Sequence, residues 1–436
     1  MYGPPPDPRQ VNLDLSMVEA PLPYLGCALV AVLLTGLAAW RRPPGAARAL
    51  LFITGQVVLL TAPLLFVLPD AVLGAFPTID KEGSYLFYLE GVHWRIMANP
   101  IAAADDPAAR LIGVHVGHLW VTELLDLLMD PLPAFSIQGL IYPTFGWAAA
   151  ALLLHAVTGD IRVAVVLAMP FGMGLHVFRD HNWYTIEKAA VGWLPLFAWT
   201  MHRAWRSRGA WPWASGVVFG LMSWMNLYLG LVGAALGAVS LLWVAVGASR
   251  SARHRPGLRG LGAACAACVL TGLPLALWQH HVMSGGPALA TPDAFLHQRA
   301  ALDGVTLWPP AWNRLELWRA LDPAAVVLAG AGLGAMLLQE RRVQLALLAG
   351  VLMAALSLGP DPVPGTGLSN PVYMAAWHSV PGFWRVAKPE VFFQGTWLLM
   401  LCVAAIGVSM RAPSTRALAC LYAVMVTSWL VLVRSH

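Results

Sequence analysis

Apolar runs of roughly 20 residues, the length that spans a bilayer's hydrocarbon core, recur from one end of the chain to the other. They fall near 22–40, 49–68, 138–157, 161–177, 189–203, 211–230, 232–248, 260–280, 323–339, 343–358, 391–410 and 417–433. Runs 189–203 and 417–433 are short for a crossing. The pattern predicts an all-α fold, a polytopic integral membrane protein with about 12 transmembrane helices. Composition agrees. The 436 residues are 58% hydrophobic and 11% charged, against about 25% charged in a soluble domain.

Orientation follows from the basic residues. One set of connections is short and arginine-rich: Arg41, Arg42 and Arg48; Arg162; Arg203, Arg206 and Arg208; Arg250, Arg253, Arg255 and Arg259; Arg341 and Arg342; Arg411 and Arg416. Dense basic turns mark the cytoplasmic side. Both termini are then expected outside, with three long loops over 69–137, 281–322 and 359–390. Of the 22 acidic residues, only Asp160 and Glu340 fall inside. Much of that bias is geometric, because the outer loops are far longer. It still puts the carboxylates that chemistry requires on the outer side. Trp94, Trp120, Trp308, Trp312, Trp318, Trp377 and Trp384 sit in these loops and read as headgroup anchors. Segment 114–130 has helical periodicity and ends in Asp130-Pro131-Leu132-Pro133. It reads as an interfacial or re-entrant helix. A full crossing there would reverse every later loop and put the arginines outside.

Several classes are excluded. The net charge of +5 is scattered over short turns, with no cluster to track nucleic-acid phosphates, so no nucleic-acid partner is expected. Cys27, Cys265, Cys268, Cys402 and Cys420 all lie in apolar spans. The Cys265/Cys268 pair reads as small-residue helix packing rather than as a metal or redox motif. Residues 1–20 lack a basic n-region, so no cleavable signal is expected. No carboxylate falls at mid-span, which counts against an ion-coupled transporter.

Four stretches carry a resemblance. One is Gly74-Ala75-Phe76-Pro77-Thr78-Ile79-Asp80 after a span. Another is Asp130-Pro131-Leu132 followed by a span ending Leu154-His155-Ala156-Val157-Thr158-Gly159. The third is a polar hairpin followed by Trp193-Leu194-Pro195-Leu196 and a basic turn. The fourth is Leu356-Ser357-Leu358-Gly359-Pro360, then Pro381-Gly382-Phe383-Trp384-Arg385-Val386-Ala387-Lys388-Pro389. Their order resembles the GT-C superfamily of membrane glycosyltransferases, which use polyprenyl-phosphate sugars. The likeness covers about residues 49–410 and is nearest to small bacterial members without a soluble domain. It implies a division into 1–48, an outer segment with an additional helix; 49–410, the GT-C-like transmembrane part; and 411–436, a terminal helix. It also implies a bacterial inner membrane location with periplasmic termini. Its partners would be membrane lipids and a polyprenyl-phosphate sugar, with partner membrane subunits as a further possibility. Asp80 departs from the family pattern in being followed by Lys81 and Glu82.

Transfer from such a donor needs a base for the acceptor and positive charge for the leaving phosphate. By resemblance Asp80 is the base and Glu82 its substitute; from the residues alone Asp80 is equally a loop acid paired with Lys81. Asp105 and Asp106 fit either a helix N-terminus or hard-cation ligands, and the resemblance adds a divalent metal, Mg or Mn. His115 and His118 share a helical face and fit either a transition-metal pair or hydrogen bonding within the loop. Arg179, Asp180, His181, Trp183 and Tyr184 form the densest polar run between two spans, with Glu187 next in line. They suit a sugar pocket or a solvated turn. Arg385 and Lys388 suit a phosphate or a headgroup anchor. Asn226 and Tyr228 line a pocket or bond between helices. The expected function is an inverting GT-C-like transferase acting on the periplasmic side. The alternatives are a non-catalytic subunit of the same fold that binds a lipid carrier or partner, and a lipid or small-molecule transporter.

Overall fold

The computed structural model describes residues 45–67, 131–174, 190–206, 209–250, 255–284, 341–359, 369–380 and 391–435, with positions 124–125, 127–128 and 383 besides. Among these residues there is no strand. The helices are α1 (Ala46–Val67), α2 (Pro131–Thr158), α3 (Ile161–Gly172), α4 (Trp193–Arg206), α5 (Trp211–Met225) and α6 (Leu227–Arg250). They continue as α7 (Arg255–Ser284), α8 (Arg341–Ser357), α9 (Pro371–Ser379), α10 (Phe392–Met410) and α11 (Thr415–Ser435). Three carry a stretch long and apolar enough to cross a membrane: Leu140–Thr158 in α2, Gly257–Leu277 in α7, and α10 itself. Expected runs 22–40 and 323–339 lie outside the described residues, as does most of segment 114–130.

Helix α10 is the axis of the bundle. Of its span, 72% is buried, against 28% for the α7 span, which lies at the periphery. It also orders the other helices along one direction. At its end, Ser409 Oγ donates to Thr158 O (3.3 Å), next to Asp160. Near its start, Trp397 Nε1 donates to Pro170 O (3.2 Å) at the close of α3. A Cβ on Gly395 would meet Val232 of α6 at 3.1 Å. The start of α10, the end of α3 and the start of α6 therefore share one end of the bundle, the Asn226 end. Asp160 marks the other.

The α2–α3 hairpin turns in two residues, for reasons visible in its chemistry. Gly159 has φ +78°, a conformation that costs glycine nothing, and its N–H closes on His155 O (2.7 Å). Asp160 then caps α3, its Oδ1 accepting from Arg162 N (2.8 Å). The Arg162 guanidinium folds back onto the same carboxylate at 3.0 Å. Burial pushes the Asp160 carboxyl upward, but the Arg162 side-chain and backbone hydrogen bonds, its charge and the Val163 N–H outweigh that and hold it below the usual value. A lowered folded pKa means stability that is fully present above the unfolded value, about 3.9, and lost as pH falls through the folded one. Asp160→Ala should lower unfolding stability in detergent by about 1 kcal/mol at neutral pH. The deficit should shrink on titration below pH ~4. A deficit unchanged in acid would contradict the charged cap.

The structure corrects four expectations. Run 211–230 does not continue to residue 230: the helix breaks at Asn226. Helix α3 ends at Gly172, not near 177. Pro131, expected to close an interfacial helix, opens α2, where a missing N–H costs nothing. Trp377 is not a headgroup anchor. It is 6% exposed and packs on Tyr373 (6.2 Å). The last run is also longer than it looked, since α11 holds 21 residues. The close helix packing expected around Cys265 and Cys268 is present. A Cβ on Gly216 of α5 would clash with Ala267 of α7 at 2.7 Å, and Cys268 Sγ sits 3.8 Å from Ser215 O. Among the described residues the thiols of Cys265, Cys268, Cys402 and Cys420 are free.

Candidate functional site at the Asn226 end

Several helices stop short at this end. Helix α3 has 12 residues, α4 has 14 and α5 has 15. At 1.5 Å per residue they rise only about 18–22 Å, less than the roughly 30 Å of a bilayer core. Helix α2 has 28 residues and runs past them. Gly172 lies against Pro143 and Trp147, and Gly192 against Phe145 and Gly146. The first turns of α2, from Pro131 to Tyr142, therefore rise beyond the level where α3 ends and α4 begins. The bundle has a step there.

The step leaves backbone groups to satisfy, because a helix ends with carbonyls that have no intrahelical donor. Tryptophans from distant helices supply the donors. Trp397 of α10 reaches Pro170 O, and Trp429 of α11 reaches Met173 O. Both indoles are buried. At the break between α5 and α6, Asn226 is extended, with φ −157° and ψ 115°. Its Oδ1 accepts from Tyr228 N (2.9 Å) and Leu229 N (3.4 Å), capping α6. Asn226 is 1% exposed, so the polar break is enclosed by protein.

A second anchored element lies beside it. Asn370 caps α9 through Oδ1, accepting from Val372 N and Tyr373 N. Its Nδ2 donates to Ala355 O (2.6 Å) and Gly359 O (2.9 Å), tying α9 to the end of α8. Tyr373 packs on Phe383 (5.2 Å) and Phe383 on Phe392 (5.8 Å) at the head of α10. In the first turn of α10 stands Gln394, 6% exposed, whose Oε1 is buried and has no hydrogen-bond partner among the described residues. An unmet buried acceptor costs about 1–3 kcal/mol. On the helix it falls between Trp397, which faces α3, and Gly395, which faces α6.

The sequence-derived candidates relate to this end by their neighbours alone. Asp80, Glu82, Asp105, Asp106, His115 and His118 lie outside the described residues. So do Arg179, Asp180, His181, Trp183, Tyr184, Glu187, Arg385 and Lys388. Of the described residues next to segment 175–189, Gly174 is buried and Met173 and Ala190 are both 0% exposed, and they sit at the step. Phe383 and Val391, on either side of Arg385 and Lys388, are also buried. Among the described residues Asp160 is the lone carboxylate, at the far end. No group of three or more His, Cys, Asp or Glu that could hold a metal occurs among them. Gln394, Asn370, Trp397 and Trp429 were missed from sequence. A glutamine within an apolar run was the available signal for the first.

No protein-family model matches the chain, and neither a curated protein nor a solved structure matches it significantly.

Proposed function

We propose that the chain is a multi-pass protein of a bacterial inner membrane, with about 12 spans, that transfers a sugar from a polyprenyl-phosphate donor to a periplasmic acceptor. One observation carries the reading: α3 and α4 end at a step inside the bundle, about 20 Å from the Asp160 end. A segment rich in Arg179, Asp180, His181, Trp183, Tyr184 and Glu187 joins these two buried ends. Another, with Arg385 and Lys388, leads into α10 beside them. A step about 10 Å short of a roughly 30 Å hydrocarbon core would let a lipid-borne headgroup enter between the longer helices.

In this reading Asp80 takes the acceptor's proton as the acceptor oxygen attacks the anomeric carbon. The bond to the donor phosphate breaks, and Arg385 and Lys388 hold the phosphate as negative charge gathers on it. The 179–187 segment orients the sugar through an aromatic face and acid hydrogen bonds. Asp105 and Asp106 offer hard oxygen donors that fit Mg or Mn, and His115 and His118 offer imidazole donors nearby in sequence. A divalent ion there would help neutralise the phosphates. The Asp80-Lys81-Glu82 sequence favours one other reading, a subunit of this fold that binds the lipid carrier without turning it over.

The test uses the full chain in lipid nanodiscs with a polyprenyl-phosphate sugar and envelope extract as acceptor. Release of polyprenyl phosphate coupled to sugar transfer is the expected result. Tight binding of polyprenyl phosphate without turnover would select the subunit reading. Neither binding nor turnover would overturn both.

A further inference from the structure

Buried amides gather at the Asn226 end, where Gln138, Asn226, Asn370 and Gln394 are all enclosed by protein. Asn226 caps α6, and Asn370 ties α9 to α8. Gln394 has no such duty, because its Oε1 is buried and meets no donor. It shares one face of α10 with Leu398, Leu401 and Ala405, at spacings i, i+4, i+7 and i+11. Those three apolar residues are at most 1% exposed. The face is bracketed by Trp397, bonded to Pro170 near the end of α3, and by Ser409, bonded to Thr158 just before its start. It is therefore the face that packs on α3.

Gln394 stands where that packing runs out. Three residues carry it about 4.5 Å beyond Trp397 toward the Asn226 end, while α3 has only two residues, about 3 Å, left after Pro170. An apolar side chain would close the face there. An acceptor without a donor instead calls for a group from outside the fold. A phosphate or carboxylate offers only further acceptors. A cation beside one neutral amide, this far from water, is costly. A neutral hydroxyl both donates and accepts, so it suits the amide whichever way the amide is turned. Among groups that lipids carry, a sugar ring presents several such hydroxyls.

We propose that Gln394 is a sugar-binding residue, its Oε1 accepting a hydrogen bond from a hydroxyl of a lipid-borne sugar at the end of α3. Where the lipid is a polyprenyl phosphate, the assignment rests on the transferase reading. A glycosyl diacylglycerol offers the same hydroxyl chemistry without a phosphate.

The experiment compares the full chain with Gln394→Met in phosphatidylcholine nanodiscs, by lipid binding and by thermal unfolding. Methionine keeps the volume and removes the acceptor. The probes are polyprenyl-phosphate glucose against polyprenyl phosphate, and monoglucosyl diacylglycerol against diacylglycerol. The wild type should prefer the sugar-bearing member of a pair. Gln394→Met should cut that preference by about 3- to 10-fold, the effect of one neutral hydrogen bond. Its unfolding midpoint without ligand should equal or exceed that of the wild type, because the unmet acceptor is gone. Gln394→Leu should behave in the same way. A lower midpoint with the preference intact would make Gln394 a packing residue and overturn the proposal. A wild type without preference in either pair would also overturn it. Undiminished transfer and preference in Gln394→Met would remove the contact and leave the transferase standing. A Gln394-dependent preference for the glucosyl diacylglycerol, with no transfer from the polyprenyl donor, would do the reverse.

Discussion

Asp80→Asn should lower sugar transfer by about 100- to 10,000-fold, the usual contribution of a positioned general base. The substitution keeps the shape and hydrogen-bonding reach of the side chain and removes only the capacity to take a proton. Binding of polyprenyl phosphate should persist, because the proposed phosphate ligands, Arg385 and Lys388, are kept. The thermal unfolding midpoint should also be unchanged, since the exchange conserves side-chain volume. Measuring transfer, binding and melting together separates three outcomes. Loss of transfer alone identifies the base. Full activity in Asp80→Asn with loss in Glu82→Gln moves the role two residues along. Full activity in both removes the carboxylate mechanism.

The sequence spoke most clearly where structure is local. The α2–α3 hairpin follows from Thr158-Gly159-Asp160, a helix stop and a cap in three residues. Among the described residues, three of the apolar runs are helices long enough to cross a membrane, as their length announced. What was hidden depended on distant partners. Apolar periodicity runs unbroken through Asn226, so the run seemed to continue. The break is stabilised by Asn226 capping α6, and by Gly230 approaching Ser223, where a Cβ would stand 2.5 Å from its hydroxyl. Trp377 looked interfacial because tryptophan commonly is. It is buried because Asn370 fastens α9 onto α8, a contact that no local pattern announces. The candidate site was legible as polar islands between apolar runs. The step at the end of α3 was not, because it depends on where Gly172 stands against α2.

Gly172→Ala should therefore be among the most damaging small substitutions in the chain. In an ordinary helix the exchange stabilises by about 1 kcal/mol. Here the added Cβ would collide with Trp147 N, and would stand 2.6 Å from Trp147 Cβ and 2.7 Å from Pro143 O. None of these atoms belongs to a side-chain tip that can swing aside. Two are backbone, and the third is the root of a tryptophan that is 0% exposed. Helices α2 and α3 must separate, which strains the Trp147 Nε1 bond to Val165 O (2.7 Å) between them. The expected cost is about 2–4 kcal/mol, the upper range for overpacking a dense core. Gly262 is the control, a helical glycine of α7 with nothing within 4 Å of a Cβ. Gly262→Ala should be neutral or gain about 1 kcal/mol. Unfolding in detergent compares the pair directly, and equal stability of the two variants would contradict the close approach. The effect should also reach function. Shifting the end of α3 moves Met173, the buried residue where segment 175–189 begins. A Gly172→Ala protein kept folded at low temperature should therefore transfer sugar more slowly, while Gly262→Ala keeps the wild-type rate.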